Sequence, residues 1–151
     1  MVCLYIIYVN LILSFRYHRA LNKESRMSTA EEDRVNTNIT AFAQVAHQQN
    51  QAYKAAIGQP LEGSWSQMDS TGQQFVLDKV RYYLMNSHAV VSSLHDDWAY
   101  SQFNNGWAFG ESLDEEKRTH PLLVLFSELP LTRQIEDLMF MQTVYALSRL
   151  M

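Results

Sequence analysis

Four stretches of this chain carry apolar residues three and four positions apart, and helix-ending residues separate them. That pattern restricts the fold to packed helices, because half-buried strands need alternation at every second residue. The first stretch spans about 28–57. Val35, Ile39, Phe42, Ala46, Tyr53 and Ile57 fall on one face. Asn50 takes the missing place in that stripe, His47 lies beside it, and Gly58 and Pro60 stop the helix. Ser28 and Thr29, followed by Glu31 and Glu32, have the order of a capping box. Asn36, Thr37 and Asn38 are poor interior residues and argue for a later start. The second stretch, about 71–86, pairs Ser70 with Gln73 as its capping pattern and buries Val76, Val80, Tyr83 and Leu84. The third, about 93–104, places Ser93 as the cap ahead of Asp96 and Asp97, which favour a helix N-terminus. His95, Trp98 and Gln102 share one face of it, and Asn104-Asn105-Gly106 ends it.

The fourth stretch, about 130–150, opens on Pro130, a residue suited to a first helical turn. Ile135, Leu138, Met139 and Tyr145 line one face, and Leu131, Phe140, Val144 and Leu147 line another. So wide an apolar girth implies burial on several sides or a second surface that meets a partner. Residues 106–129 break the helical pattern. "GWAF" and "HPLLVLF" are short, aromatic or branched, and bounded by turn residues, so they can pair as a small two-stranded ribbon. The expected fold is therefore mainly α: four helices, with a structured Gly-Trp loop or short β-ribbon between the third and fourth.

The chain is long enough to bury a core without disulfides or metals, and one domain over 27–151 accounts for it. Its hydrophobic content of 47% excludes general disorder. The lone cysteine, Cys3, forms no intramolecular disulfide and no cysteine-based zinc site, which fits a reducing, cytoplasmic setting. Net charge is −4, and residues 1–26 hold Arg16, Arg19, Lys23 and Arg26 against Glu24 alone. The body is thus more acidic than the total suggests. That argues against non-specific nucleic-acid binding, which rests on cationic side chains meeting phosphate.

The apolar run "MVCLYIIYVNLILSF" is shorter than the roughly 20 residues of a membrane span, and its charges follow rather than precede it. "MSTAEEDR", from Met27, reads as an ordinary cytosolic start. Residues 1–26 are thus expected to be an upstream extension. The alternatives are a short anchor, the one route to a membrane role, and a packed helix or strand.

No phosphate loop, dinucleotide fingerprint, His-Glu-x-x-His or nucleophile elbow occurs. The histidines show no metal-ligand spacing. The sequence therefore predicts neither an enzyme nor a cofactor or metal. The run Asp114 to Arg118 reads as a solvated turn or short helix. What remains is aromatic and polar. A tryptophan face stacks on flat rings, so Trp98 and Trp107 are candidate walls of a pocket. His95, His120 and Asn50 are candidate hydrogen-bonding groups, and Lys117 or Arg118 a candidate partner of a phosphate. Against this stands the ordinary place of a tryptophan in a small helical domain, which is the core.

The segment "LHDDWAYSQFNNGWAFGESLDEEKRTHPLLVLFSELP" resembles the repeat domain of ryanodine receptors, the RyR domain. Its signature region, 94–130, supplies in order His95, Trp98, Gly106, Trp107, Gly110, Asp114, His120, Pro121, Leu123, Leu129 and Pro130. Upstream, His47, Asn50, Tyr53 and Trp65 are similar to a helix and tryptophan found in small stand-alone bacterial and bacteriophage members, so the resemblance covers about 41–150. Three positions depart from the pattern: Gln102 stands for a usual lysine, Phe109 for a usual tyrosine, and Leu125-Phe126 for a usual Pro-Tyr. The resemblance implies a cytosolic, non-enzymatic module that holds a small, nucleotide-like ligand between aromatic side chains, in host cytoplasm if phage-encoded. A single repeat lacks the second repeat that completes the receptor pocket, and a homodimer would replace it. The competing expectation is a structural or protein-interaction domain in which the signature aromatics are core and the last helix meets a partner.

Overall fold

The computed structural model of the chain describes residues 29–150. The expectations for residues 1–26, and the Ser28 cap, lie outside the described residues. Among these there are four α-helices: α1 (Thr29–Ala56), α2 (Ser70–Met85), α3 (Ser93–Asn104) and α4 (Leu131–Ser148). Between α3 and α4 lie two short strands, β1 (Ala108–Phe109) and β2 (Thr119–His120). The fold is mainly α, with a small β element where the helical pattern breaks. No helix among the described residues is long and apolar enough to cross a membrane.

The chain divides into two compact units. One runs through Ser87 and includes the segment from Met139. Its core comes from Ile39, Phe42, Ala43 and Ala46 of α1, Val76, Val80 and Tyr83 of α2, and Phe140 and Val144 of α4. Tyr83 meets Phe140 and Tyr145, with ring centroids 6.4 and 5.8 Å apart, and the Tyr145 hydroxyl donates to Asn86 O at 2.9 Å. Both connect the end of α2 to α4. The second unit is His88–Leu138 and holds α3, the two strands and the start of α4.

Several local expectations change. The first helix does not start late: α1 runs unbroken through Asn36–Asn38. The Thr37 and Thr40 hydroxyls donate to the carbonyls of Asp33 and Asn36 one turn back, which lets them sit in a helix interior. Helix α2 is capped by Asp69, not Ser70: the Asp69 carboxylate accepts from Gly72 N at 2.7 Å. A carboxylate one residue earlier answers both an orphan N–H and the helix dipole. Ser93 is not the cap of α3 but its first residue. The cap position is Ser92, whose side chain makes no capping bond, and the Ser93 hydroxyl accepts from Val90 N instead.

The second strand lies at Thr119–His120, at the threshold of "HPLLVLF" rather than within it, and pairs parallel to β1. Pro121 has no N–H to continue a ladder. In α4 the two predicted faces do not both close. Leu131 and Leu138 are exposed, while Phe140, Met141 and Val144 are buried. Upstream, Glu136 and Asp137 are buried beside Arg133, so paired charges occupy part of the girth expected to be apolar.

Candidate functional site

The end of α3 explains why a glycine precedes Trp107. Gly106 has φ 79°. Its N–H donates to Phe103 O, and the Trp107 N–H donates to Gln102 O at 2.9 Å. Those two bonds make a Schellman stop, with Gly106 in the left-handed position. Trp107 is thereby fixed directly after the turn that ends the helix, half-buried. Arg118 finishes the same helix end: its Nη1 donates to Asn105 O at 3.2 Å. A cation beside C-terminal carbonyls is favoured by the helix dipole.

The charged run folds as a tight turn. Asp114 Oδ1 accepts from Lys117 N at 3.0 Å, and Asp114 Oδ2 pairs with Lys117 Nζ at 2.9 Å. The backbone N–H of Lys117 first, and its ammonium second, hold the Asp114 carboxyl below its ordinary value. Arg118 then takes φ 52°, the one non-glycine positive φ among the described residues, and turns the chain into β2. The Ala108 N–H donates to Arg118 O at 2.9 Å, and the register sets Ala108 opposite Thr119 and Phe109 opposite His120. The Gly-Trp turn and the charged turn are therefore held together by pairing.

Behind them lies an aromatic cluster. Trp98 is only 3% exposed. His95 meets it at 5.5 Å between centroids, and His120 meets it in a T-shaped contact at 5.0 Å. Phe126 closes on His95 at 6.0 Å. The buried His95 donates from Nε2 to Val124 O at 2.9 Å; a carbonyl only accepts, so this nitrogen carries the proton. His120 Nδ1 accepts from Leu122 N at 3.0 Å, so that nitrogen is bare. Burial, and secondarily the charge of His95, push the His120 imidazole below its ordinary value.

Below the ordinary imidazole value of 6.5 the unfolded chain binds a proton that folded His120 resists, so acid favours unfolding. The contribution of His120 is complete above about pH 6.5 and is lost as pH falls through the depressed folded value. Thermal midpoints measured between neutral and mildly acidic pH should fall. In His120→Asn, whose Oδ1 can accept the same Leu122 N–H, the fall should be shallower; an unchanged slope would assign the acid sensitivity to other groups.

Of the seven residues singled out from the sequence, His95, Trp98 and His120 come together in this cluster. Trp107, Lys117 and Arg118 lie in the two turns in front of it. Asn50 belongs to the other unit, on α1, beside residues bonded to the loop that follows that helix. Phe126, Thr119 and Leu123 were not among those seven, although Leu123 and Phe126 entered as positions of the signature pattern. Leu123 is almost fully enclosed, and its place three residues beyond His120 in an apolar run was the available signal. Among the described residues no group of three or more His, Cys, Asp or Glu side chains is placed to hold a metal ion.

The paired turns, the Schellman stop and the His-Trp-His cluster all fall within the stretch that one family model matches. The family model for the RyR domain matches residues 73–150, half the chain, and the protein belongs to that family. The match begins at Gln73 within α2, so His47, Asn50, Tyr53 and Trp65 lie outside it. No solved structure matches the chain.

Proposed function

We propose that the protein is a non-enzymatic binding module for a small, nucleotide-like molecule, acting in the cytoplasm, and that the ligand meets the outer side of the Gly-Trp loop. One observation supports this most directly. β-pairing sets half-buried Trp107 and Phe109, a residue 55% exposed, against the turn that carries Lys117 and Arg118. Flat apolar faces beside cations suit a flat ring bearing an anion. His95 and Trp98 then serve as the core that holds the loop in place rather than as contacts. His120 is half-buried and bridges the two roles.

Arg118 is engaged with a helix carbonyl, and Lys117, with its side chain 78% exposed, pairs among the described residues with Asp114 in a surface ion pair that contributes little. Lys117 is therefore the cation assigned to the ligand's charge. In a thermal-shift panel of mono-, di- and cyclic nucleotides and ADP-ribose derivatives, Trp107→Ala should abolish the ligand-induced shift and keep a cooperative melt. Lys117→Ala should weaken anionic ligands selectively. A full shift retained in Trp107→Ala would reject the loop as the site.

A second reading has its own observation. Tyr100 and Phe103 on α3, and Leu125 and Leu131 beyond β2, are all more than half exposed; gathered in one contiguous patch, such side chains would mark an interaction surface. Sedimentation separates the readings: a dimer without nucleotide response favours the interaction domain, and a monomer with a response favours the ligand module. A dimer with a response favours the paired-repeat form of the pocket.

A further inference from the structure

Strand β1 leaves one edge of its backbone open. Successive N–H groups along a strand point to opposite edges. Those of Ala108 and Gly110 point to β2, donating to Arg118 O at 2.9 Å and to His120 O at 3.4 Å. The N–H and C=O of Phe109, which lies between them, therefore point the other way. The far side of β2 is already covered, because Asp114 and Thr119 exchange both backbone bonds at 3.0 and 2.9 Å. Among the described residues no group bonds to the backbone N–H or C=O of Phe109, and both residues of β1 are exposed.

An open edge is ordinarily a template for another strand. This one is too short for that role. Two residues earlier, where the same edge would continue, the Trp107 N–H is taken by Gln102 O. In the other direction the strand ends at Phe109. Strands usually run over three residues or more. What remains is one residue's donor and acceptor, side by side, the set that a facing residue satisfies in an antiparallel ladder. It suits a small planar group with its own donor and acceptor on neighbouring atoms, and the edge of a heterocyclic base is such a group.

We propose that the Phe109 backbone reads the base of the nucleotide-like ligand. Its C=O accepts from the base's N–H, and its N–H donates to the acceptor beside that donor. The inference rests on the Gly-Trp loop as the binding site and deepens it. Trp107 serves the ring face and Lys117 the anion, while Phe109 selects the ring edge. A base with its donor blocked is refused.

The test uses the full chain labelled with ¹⁵N. In the free protein the Phe109 amide should exchange with solvent faster than the paired amides of Ala108 and Gly110, and AMP or UMP should slow it. AMP with its amino group dimethylated, and UMP methylated on its ring N–H, lack the donor and should bind about tenfold more weakly than their parents. Phe109→Ala keeps the backbone N–H. Phe109→Pro removes it without touching the ladder, since proline is tolerated where the N–H faces solvent. The proline variant should therefore bind AMP about tenfold more weakly than the alanine variant. Equal binding of methylated and parent nucleotides overturns this inference alone and leaves the loop as the site. So does equal binding by the two variants. No nucleotide response at all in the wild type overturns both readings. If Phe109→Pro does not fold, the methylated pairs and the exchange of the Phe109 amide decide.

Discussion

Truncating Trp98 to alanine should destabilise the protein by roughly 3–5 kcal/mol, the range for removing a large aromatic from a packed core. The indole is 3% exposed and is contacted by His95 and His120, so its removal leaves a cavity between α3 and the segment that returns after β2. Urea unfolding should show the midpoint falling with little change in slope, the mark of lost stability in an otherwise similar transition. Trp107→Ala should cost far less, because its indole is half-buried and its placement comes from backbone bonds of the Schellman stop that the substitution leaves intact. The pair separates two meanings of a signature tryptophan. If both variants lose comparable stability, the Gly-Trp loop is core throughout and its outer side has no claim to a ligand. If Trp98→Ala costs less than about 1 kcal/mol, the enclosed cluster is not the pin that holds the loop.

The helices were legible because their signal is repetitive. Each buried stripe repeats over several turns, so one misplaced residue does not alter the reading. Caps were less legible, since Asp69 and Ser70 are both good caps and adjacent; only backbone geometry selects the one whose oxygen reaches Gly72 N. His95, Trp98 and Gln102 could be assigned to one face from spacing, and all three are buried. Spacing could not show that His120, 22 positions after Trp98, closes on the same indole, because that contact depends on a turn and a two-residue strand pairing. The wide apolar girth of α4 misled in part: Leu131 and Leu138 face outward, and the helix buries Glu136 and Asp137 against Arg133. A hydropathy pattern has no means of marking a buried carboxylate whose partner lies one turn away.

The two glycines around Trp107 look equivalent in sequence and are required for different reasons. Gly106 is needed for its positive φ; a Cβ there would only graze the Arg118 guanidinium at 3.4 Å. Gly110 has no positive φ, but a Cβ there would lie 2.5 Å from Thr119 Cβ and 2.8 Å from its Oγ1. Rotating the threonine cannot relieve the first contact, because Cβ is fixed to the backbone. Gly110→Ala must therefore push β1 and β2 apart, at a cost of about 1–3 kcal/mol as for other overpacked sites. The strain loads the bonds from Ala108 N to Arg118 O and from Gly110 N to His120 O, and displacing β2 carries His120 away from Trp98. Gly110→Ala should accordingly alter tryptophan fluorescence as well as lower the melting temperature. Asparagine distinguishes the two positions: it tolerates the left-handed region, so Gly106→Asn should be nearly silent, while Gly110→Asn should be at least as damaging as alanine. Equal tolerance of asparagine at both sites would mean that the close approach of β1 to Thr119 does not hold the signature loop together.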